Sequence, residues 1–319
     1  MSVVTRFILI VSGITLATAV GYIARRKHWL DERWAGPLMF YLVIVGWTPA
    51  SCLVLWKLPL QWSLVALPLL GTLLPVALAP FGALFTRLHG LDAKSAGTFI
   101  VASGISNIGF TMGGFVCYCL FSDVGLGYAN LFAASWAVPY VGFYYPLARR
   151  YGDPNSRLTT RFILRTFFDL RSLPVLGSVA GLILNLLKTP VPTPVETFHV
   201  LDILIIGSVL ASFATVGLQI HFSHLAQQKI LHVSLAVVKF AVTPLLAVLL
   251  IVLSQYLFGP LPTVARNVIY IQSFMPTAIF TVLIANLFDL DPKLASVLFV
   301  VNTVIFLVVI LPVLVFCVS

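Results

Sequence analysis

Ser103-Gly104-Ile105-Ser106-Asn107-Ile108-Gly109-Phe110-Thr111-Met112-Gly113-Gly114 sits inside an apolar run from about Ala96 to Phe121, long enough to cross a bilayer as a helix. Four glycines and one asparagine interrupt the run near its middle. Glycine lowers helix propensity and permits backbone conformations that other residues avoid, and Asn107 brings an amide that donates and accepts hydrogen bonds. The pattern predicts a broken transmembrane helix. A second interruption, Gln272-Ser273-Phe274-Met275-Pro276-Thr277, falls in another apolar run, where Pro276 removes a backbone donor and clashes with a preceding carbonyl. Backbone groups freed in lipid must find partners, so the two breaks are expected to face each other around a polar cavity.

The composition places these breaks in a membrane. Of 319 residues, 60% are hydrophobic and 9% charged, against roughly 45–50% and 25% in a soluble domain. At about 20 residues per crossing the chain has room for roughly ten helices and no separate soluble domain. The formal charge of +9 is spread over short segments between apolar runs, which fits membrane topology rather than a nucleic-acid surface. Cys52, Cys117, Cys119 and Cys317 lie in or beside apolar runs without zinc-site or disulfide-framework spacing, and are expected to be reduced packing residues.

The first run, Phe7 to Ala24, resembles a signal peptide with an Ala17-Thr18-Ala19 site, but Arg25-Arg26-Lys27 directly after it would hold that end in the cytoplasm as a first transmembrane helix. Further runs cover residues 36–56, 62–86, 96–121 and 126–148, then 173–188, 200–220, 231–257, 267–288 and 294–317. With the N-terminus outside, inward segments carry 14 Lys or Arg, among them Arg87, Lys94, Arg157, Lys229 and Lys293, and outward segments carry 4: Arg6, Lys57, Lys188 and Arg266. The positive-inside rule then places both termini outside a membrane, expected to be the cytoplasmic membrane. The polar segment 149–172 is read as a cytoplasmic linker between two five-helix repeats, 1–148 and 173–319. Within it Arg157, Arg161 and Arg165 recur every four residues, which suits either a helix lying on the anionic leaflet or topogenic charge alone. An odd number of crossings per half inverts the second half relative to the first. A shift of 166 residues also places Asp123 on Asp289, Ala129 on Ala295 and Pro146 on Pro312.

Several motifs resemble the auxin efflux carrier family, which includes bacterial carboxylate carriers and the plant PIN proteins. They are Gly21-Tyr22-Ile23-Ala24-Arg25-Arg26, Ser106-Asn107-Ile108-Gly109-Phe110, Leu173-Pro174-Val175-Leu176-Gly177, and Met275-Pro276-Thr277-Ala278-Ile279 followed by Ala285, Asp289, Ala295, Thr303 and Pro312. The resemblance covers nearly the whole chain and implies an all-α integral membrane fold. It implies ten helices in two inverted five-helix repeats, with helices 4 and 9 broken and crossing at the substrate site. Two features depart from the family pattern: Phe115 follows Gly113-Gly114 where a proline is usual, and Leu210-Ala211-Ser212-Phe213-Ala214-Thr215 lacks its proline.

Broken helices present amides with partial positive charge, so a small organic anion, carboxylate-like, is the expected ligand. The candidate substrate-binding residues are Ser106, Asn107, Ile108, Gly109, Met275, Pro276, Thr277 and Lys239. Asn107 either bonds a carboxylate or satisfies its own helix break, and Pro276 shapes the site. Lys239, midway along the eighth run, either attracts an anion or pairs with a carboxylate, or else reaches toward the interface or a helix carbonyl. Asp202, three residues after His199, is a coupling candidate whose alternative is a solvated helix end. His221 and His224 have helical spacing for metal but lack further ligands, so no metal and no cofactor is expected. Without G-x-S-x-G, a Walker motif or H-E-x-x-H, an enzyme is not expected. The leading expectation is a secondary transporter; the competing one is a non-transporting lipid- or sterol-binding sensor on the same fold. Expected partners are the anion and membrane lipid, with a homodimer left open and nucleic acid excluded.

Overall fold

Consecutive apolar residues satisfy their backbone only within helices when water is absent, and the computed structural model of the chain is all-helical over the residues it describes: 3–109, 111–153, 173–219 and 229–318. In chain order these are α1 (Val3–Arg26), α2 (Glu32–Trp56), α3 (Trp62–Leu88), α4 (Ala93–Gly104), α5 (Met112–Ala133) and α6 (residues 137–152). There follow α7 (Leu173–Leu186), the short α8 (Thr193–Thr197), α9 (Val200–Gln219), α10 (Lys229–Phe258), α11 (Thr263–Ser273), α12 (Phe280–Leu287) and α13 (Pro292–Cys317). Six helical stretches among the described residues are long and apolar enough to cross a membrane, which is compatible with an integral membrane protein. The apolar stretch expected at 173–188 appears as the 14 residues of α7, about 21 Å at 1.5 Å per residue. The boundary expected between residues 121 and 126 falls at Ser122, whose φ of 56° breaks the helical geometry inside α5. The proposed linker helix with Arg157, Arg161 and Arg165, and the pair His221 and His224, lie outside the described residues.

Prolines account for a recurrent local irregularity. Leu42–Trp47, Tyr140–Tyr144, Val238–Val242 and Phe306–Ile310 widen to π-helical bonding, and Pro49, Pro146, Pro244 and Pro312 each follow two residues after such a stretch. Proline has no N–H to offer the preceding turn and its ring collides with the carbonyl there; a widened turn moves that carbonyl aside. In two cases the threonine before the proline bonds one carbonyl twice, its hydroxyl joining its own amide: Thr48 Oγ1 donates to Val43 at 2.8 Å and Thr243 Oγ1 to Val238 at 2.7 Å.

Small residues bring helices together where lipid offers no hydrophobic drive. A Cβ on Gly21 of α1 would lie 1.8 Å from the Ala214 carbonyl oxygen of α9, and one on Gly181 of α7 would lie 2.2 Å from that of Cys52 on α2. Any side chain there would force these backbones apart. Asn185 fastens α7 to the end of α2 by donating to the carbonyls of Leu55, Trp56 and Leu58 at 2.9, 2.8 and 2.7 Å. Of the four cysteines, none is in a disulfide; Cys117 is buried, whereas Cys317 is exposed near the end of α13 rather than packed within the chain as expected.

Aspartates start two of the site helices. Asp92 accepts from the Ser95 amide at 3.0 Å and Asp291 from the Leu294 amide at 3.0 Å, capping α4 and α13. The Ser95 hydrogen bonds hold the Asp92 carboxyl below its ordinary range. The capping stability is therefore present at neutral pH and is lost as pH falls through that lowered value. Asp92→Ala is expected to destabilise by about 1 kcal/mol near pH 7, with the difference from the native protein vanishing in acid. Thermal unfolding in detergent across a pH series measures both.

Candidate functional site

The backbone between α4 and α5 and the backbone between α11 and α12 meet as two short extended segments. Gly104 is the last residue of α4, where a Cβ would fall 1.6 Å from the Tyr144 hydroxyl, and Ile105 turns extended at φ −86° and ψ 113°. Ser106 forms an antiparallel bridge with Thr277. The Asn107 amide donates to the Pro276 carbonyl at 2.8 Å and the Ala278 amide to the Ile105 carbonyl at 3.1 Å. Gly109 then takes φ +73°, a left-handed turn that glycine adopts without strain, and leads into α5. The two breaks thus satisfy each other's freed backbone groups.

Side chains close the rest of the circuit. The Thr277 amide donates to Asn302 Oδ1 at 2.9 Å, and its hydroxyl to the Ala102 carbonyl. The Asn107 carbonyl accepts from the Gly113 amide at 3.0 Å, while Asn107 Oδ1 accepts from the Thr111 hydroxyl. Asn107, only 6% exposed, therefore stabilises its own break through its oxygens, while its amide nitrogen has no partner among the described residues.

Lys239 reaches the same point from α10. It lies in the widened turn Val238–Val242, is 0% exposed, and donates to the Ser106 hydroxyl at 2.8 Å. The Ser106 carbonyl accepts from the Tyr140 hydroxyl at 3.2 Å. None of the ion pairs among the described residues includes Lys239. Among the readings of this lysine, the interfacial one is corrected: its side chain is fully buried and runs to Ser106 rather than out to the surface.

The open polar cavity expected between the breaks is also corrected. The space lined by Gly104, Ser106, Ile108, Tyr140, Thr243 and Gln272 measures about 10 Å³, room for roughly one water. The reason is the backbone ladder, which draws the two breaks into contact, so the amides of Asn107, Ile108, Thr277 and Ala278 are all engaged within the chain. At the crossing, bonding capacity is left on side chains rather than backbone: Lys239 Nζ, Asn107 Nδ2, and the buried Gln272 Oε1 and Asn302 Nδ2, which lack hydrogen bonds among the described residues. Rings seal one flank, with Tyr140 and Phe280 centroids 5.9 Å apart and Tyr145 and Phe288 5.0 Å apart. Beyond them Lys94 pairs with Asp289 at 2.6 Å. Met112, Phe115, Ile271 and Met275 belong to the buried apolar cluster on the α5 and α11 halves.

Of the expected site residues, Lys239 bonds directly to Ser106 and Asn107 to Pro276, while Thr277 faces Ser106 across the bridge; Ile108 lines the residual space, Gly109 makes the turn, and Met275 packs in the core. Asp202 stands apart from the crossing. In the first turn of α9 it accepts from the Tyr118 hydroxyl and lies 3.3 Å from His199 Nδ1. Sequence reasoning left out Tyr140, Gln272 and Asn302. The last carried a usable signal: it is an amide in the middle of the apolar α13, where a polar side chain needs a reason. No family model matches the chain, and no curated protein matches it significantly.

Proposed function

We propose that the chain is a secondary transporter of small organic anions, with the crossing of the two breaks as its binding site. One observation carries this reading: Lys239, wholly buried in an apolar helix, aims its amino group at Ser106 without a carboxylate partner among the described residues. An ammonium in such surroundings is costly unless paired, and a carboxylate or similar small anion supplies the missing partner. With the two breaks in contact, the anion enters when one group of helices rocks against the other around them, exposing the site to each side in turn. Uptake of mono- and dicarboxylates by proteoliposomes, with imposed proton, sodium and voltage gradients, tests the proposal; no uptake of any of them in a folded protein counts against it.

The same reading includes membership of the auxin efflux carrier family, on the motifs quoted above, and ten crossings in two inverted repeats in the cytoplasmic membrane. The crossings would be α1, α2, α3, α4 with the first part of α5, the remainder of α5 with α6, then α7, α9, α10, α11 with α12, and α13. Support for the repeat comes from the shift of 166 residues that superposes Pro146 on Pro312: it also carries the widened turn Tyr140–Tyr144 onto Phe306–Ile310. The charge asymmetry of 14 against 4 supports termini on the outside. In intact cells Lys188→Cys is expected to react with an impermeant thiol reagent and Arg157→Cys to be protected; the reverse pattern inverts the orientation.

Asp202 remains the proposed coupling residue, in company with Tyr118 and His199. Asp202→Asn is expected to remove stimulation of uptake by an imposed proton gradient while leaving exchange of anion against anion intact. Unchanged stimulation assigns the group to a helix end held by hydrogen bonds.

A further inference from the structure

A second cavity opens away from the crossing, between α1, α2 and α9. It measures about 430 Å³, within the usual range of small-molecule sites. Its floor is made of small residues, Gly21, Ala24, Ala211 and Ala214, and its rim includes Val45, which is 65% exposed. Close approach of α1 to α9 at Gly21, together with the exposed connection of residues 27–31 before α2 begins, leaves the groove between the three helices. Almost all of its wall is apolar carbon.

The chain that borders one end of this groove, between its lining residues Ala24 and Leu30, is basic and interfacial in character. Ala24, Leu30 and Leu218 line it there, and Arg25 between them donates to the Leu218 carbonyl at 3.0 Å. Next come Arg26, exposed, and Lys27, whose ammonium lies 5.2 Å from the centre of the Trp29 ring. Trp29 and Trp34, 70% and 50% exposed, are the residue type that settles at the headgroup level of a bilayer. Asp31 and Glu32 offset part of the charge through Arg33 at 3.5 Å and Arg25 at 3.8 Å. Arg26 and Lys27 take part in none of the ion pairs among the described residues.

We infer that this groove is a binding site for an anionic phospholipid, one acyl chain lying against the small-residue floor and the phosphate headgroup meeting Arg26 and Lys27. The charge complementarity selects a lipid over a second copy of the chain, because a symmetric pairing through this face would bring two basic clusters together. The inference needs only that these helices lie in a bilayer, and it stands or falls independently of transport.

Native mass spectrometry of the delipidated full-length protein in detergent, titrated with dioleoyl-phosphatidylglycerol or dioleoyl-phosphatidylcholine, tests it. The phosphatidylglycerol is expected to bind at least about tenfold more tightly, since each basic side chain near an anionic headgroup is worth about fivefold in affinity. The double variant Arg26→Gln, Lys27→Gln is expected to lose about 25-fold for phosphatidylglycerol and little for phosphatidylcholine. Val45→Trp, which fills the rim from an exposed position, is expected to weaken both. Thermal unfolding confirms that the variants remain folded, and the comparison of the two lipids on the native protein needs no variant. Equal binding of the two lipids, or native phosphatidylglycerol affinity in either variant, overturns the site. So does efficient Val45→Cys cross-linking between two copies in vesicles containing phosphatidylglycerol, which would hand the groove to a dimer.

Discussion

Lys239→Met is expected to abolish anion binding and, at the same time, to raise the thermal stability of the purified protein. Methionine nearly matches the length of the lysine stem and fills an apolar site with an adaptable side chain, so the packing around α10 is kept. What disappears is the buried amino group bonded to Ser106. Replacing buried ionic groups by well-packed apolar ones commonly stabilises by about 1–4 kcal/mol. Deleting one member of a buried charge pair costs a complex about 2–5 kcal/mol, roughly 30-fold to several thousandfold in affinity. The two readouts move in opposite directions only if Lys239 is kept for a ligand. A lysine that merely held the fold would lose stability on substitution and leave ligand affinity alone, and that outcome would remove the proposed site. Lys239→Arg keeps the charge but must fit a larger, planar head beside a residual space of about 10 Å³. Overpacking of that kind costs about 1–3 kcal/mol, so arginine is expected to retain only part of the activity. Isothermal titration with the best transported carboxylate, alongside thermal unfolding, reads both quantities.

Asn107→Leu is expected to lower anion affinity roughly tenfold to a hundredfold, the equivalent of one hydrogen bond to a charged group at about 1.5–3 kcal/mol. The backbone bonds of residue 107 to Pro276 and Gly113 survive the change, since neither uses the side chain. Leucine loses the acceptor for Thr111, which keeps its alternative bond to the Ile108 carbonyl at 2.9 Å. The variant should therefore insert and fold with the crossing in place. Pro276→Ala is the companion. Its sequence context suggests that alanine would let the helix close across the break, but the ladder to Ile105 and Asn107 holds residues 276–278 extended whichever residue stands at 276. Transport by Pro276→Ala is thus expected to stay within about tenfold of native, a barrier change of less than about 1.4 kcal/mol. If Asn107→Leu binds the anion with native affinity, Asn107 serves only its own break and the amide does not meet the ligand.

The positions of the breaks were legible because glycine, asparagine and proline stand out in runs of Leu, Ile, Val and Phe. Lys239 was legible for the same reason: a lone cation in the middle of an apolar helix needs an explanation. Its direction was not, because a long flexible stem on a helix can swing to an interface or into the core. Packing against Ser106 and the widened turn before Pro244 decided that. Asp202 was picked out by chemistry alone and proved to belong to a different neighbourhood, with Tyr118 from α5, a residue no local pattern connects to it. Gln272 stands in the second break with no local pattern to give it a role. Only the close approach of Gly113, where a Cβ would come within 2.4 Å of Gln272 Oε1, places its amide between the halves.

The sequence by itself determined the class of molecule and the places where its helices must stop, since both follow from local rules: apolar length sets helices, and residues that cannot continue a helix end them. Tertiary structure decided what the ends do. Backbone groups released at residues 105–107 found their complement at 276–278, some 170 residues along the chain, and that pairing closed the space a local reading leaves open. Hydrogen bonds in a low-dielectric interior have to be completed by whatever is nearest in space. Nearness between distant segments is a property of the packed fold, which no stretch of sequence carries alone.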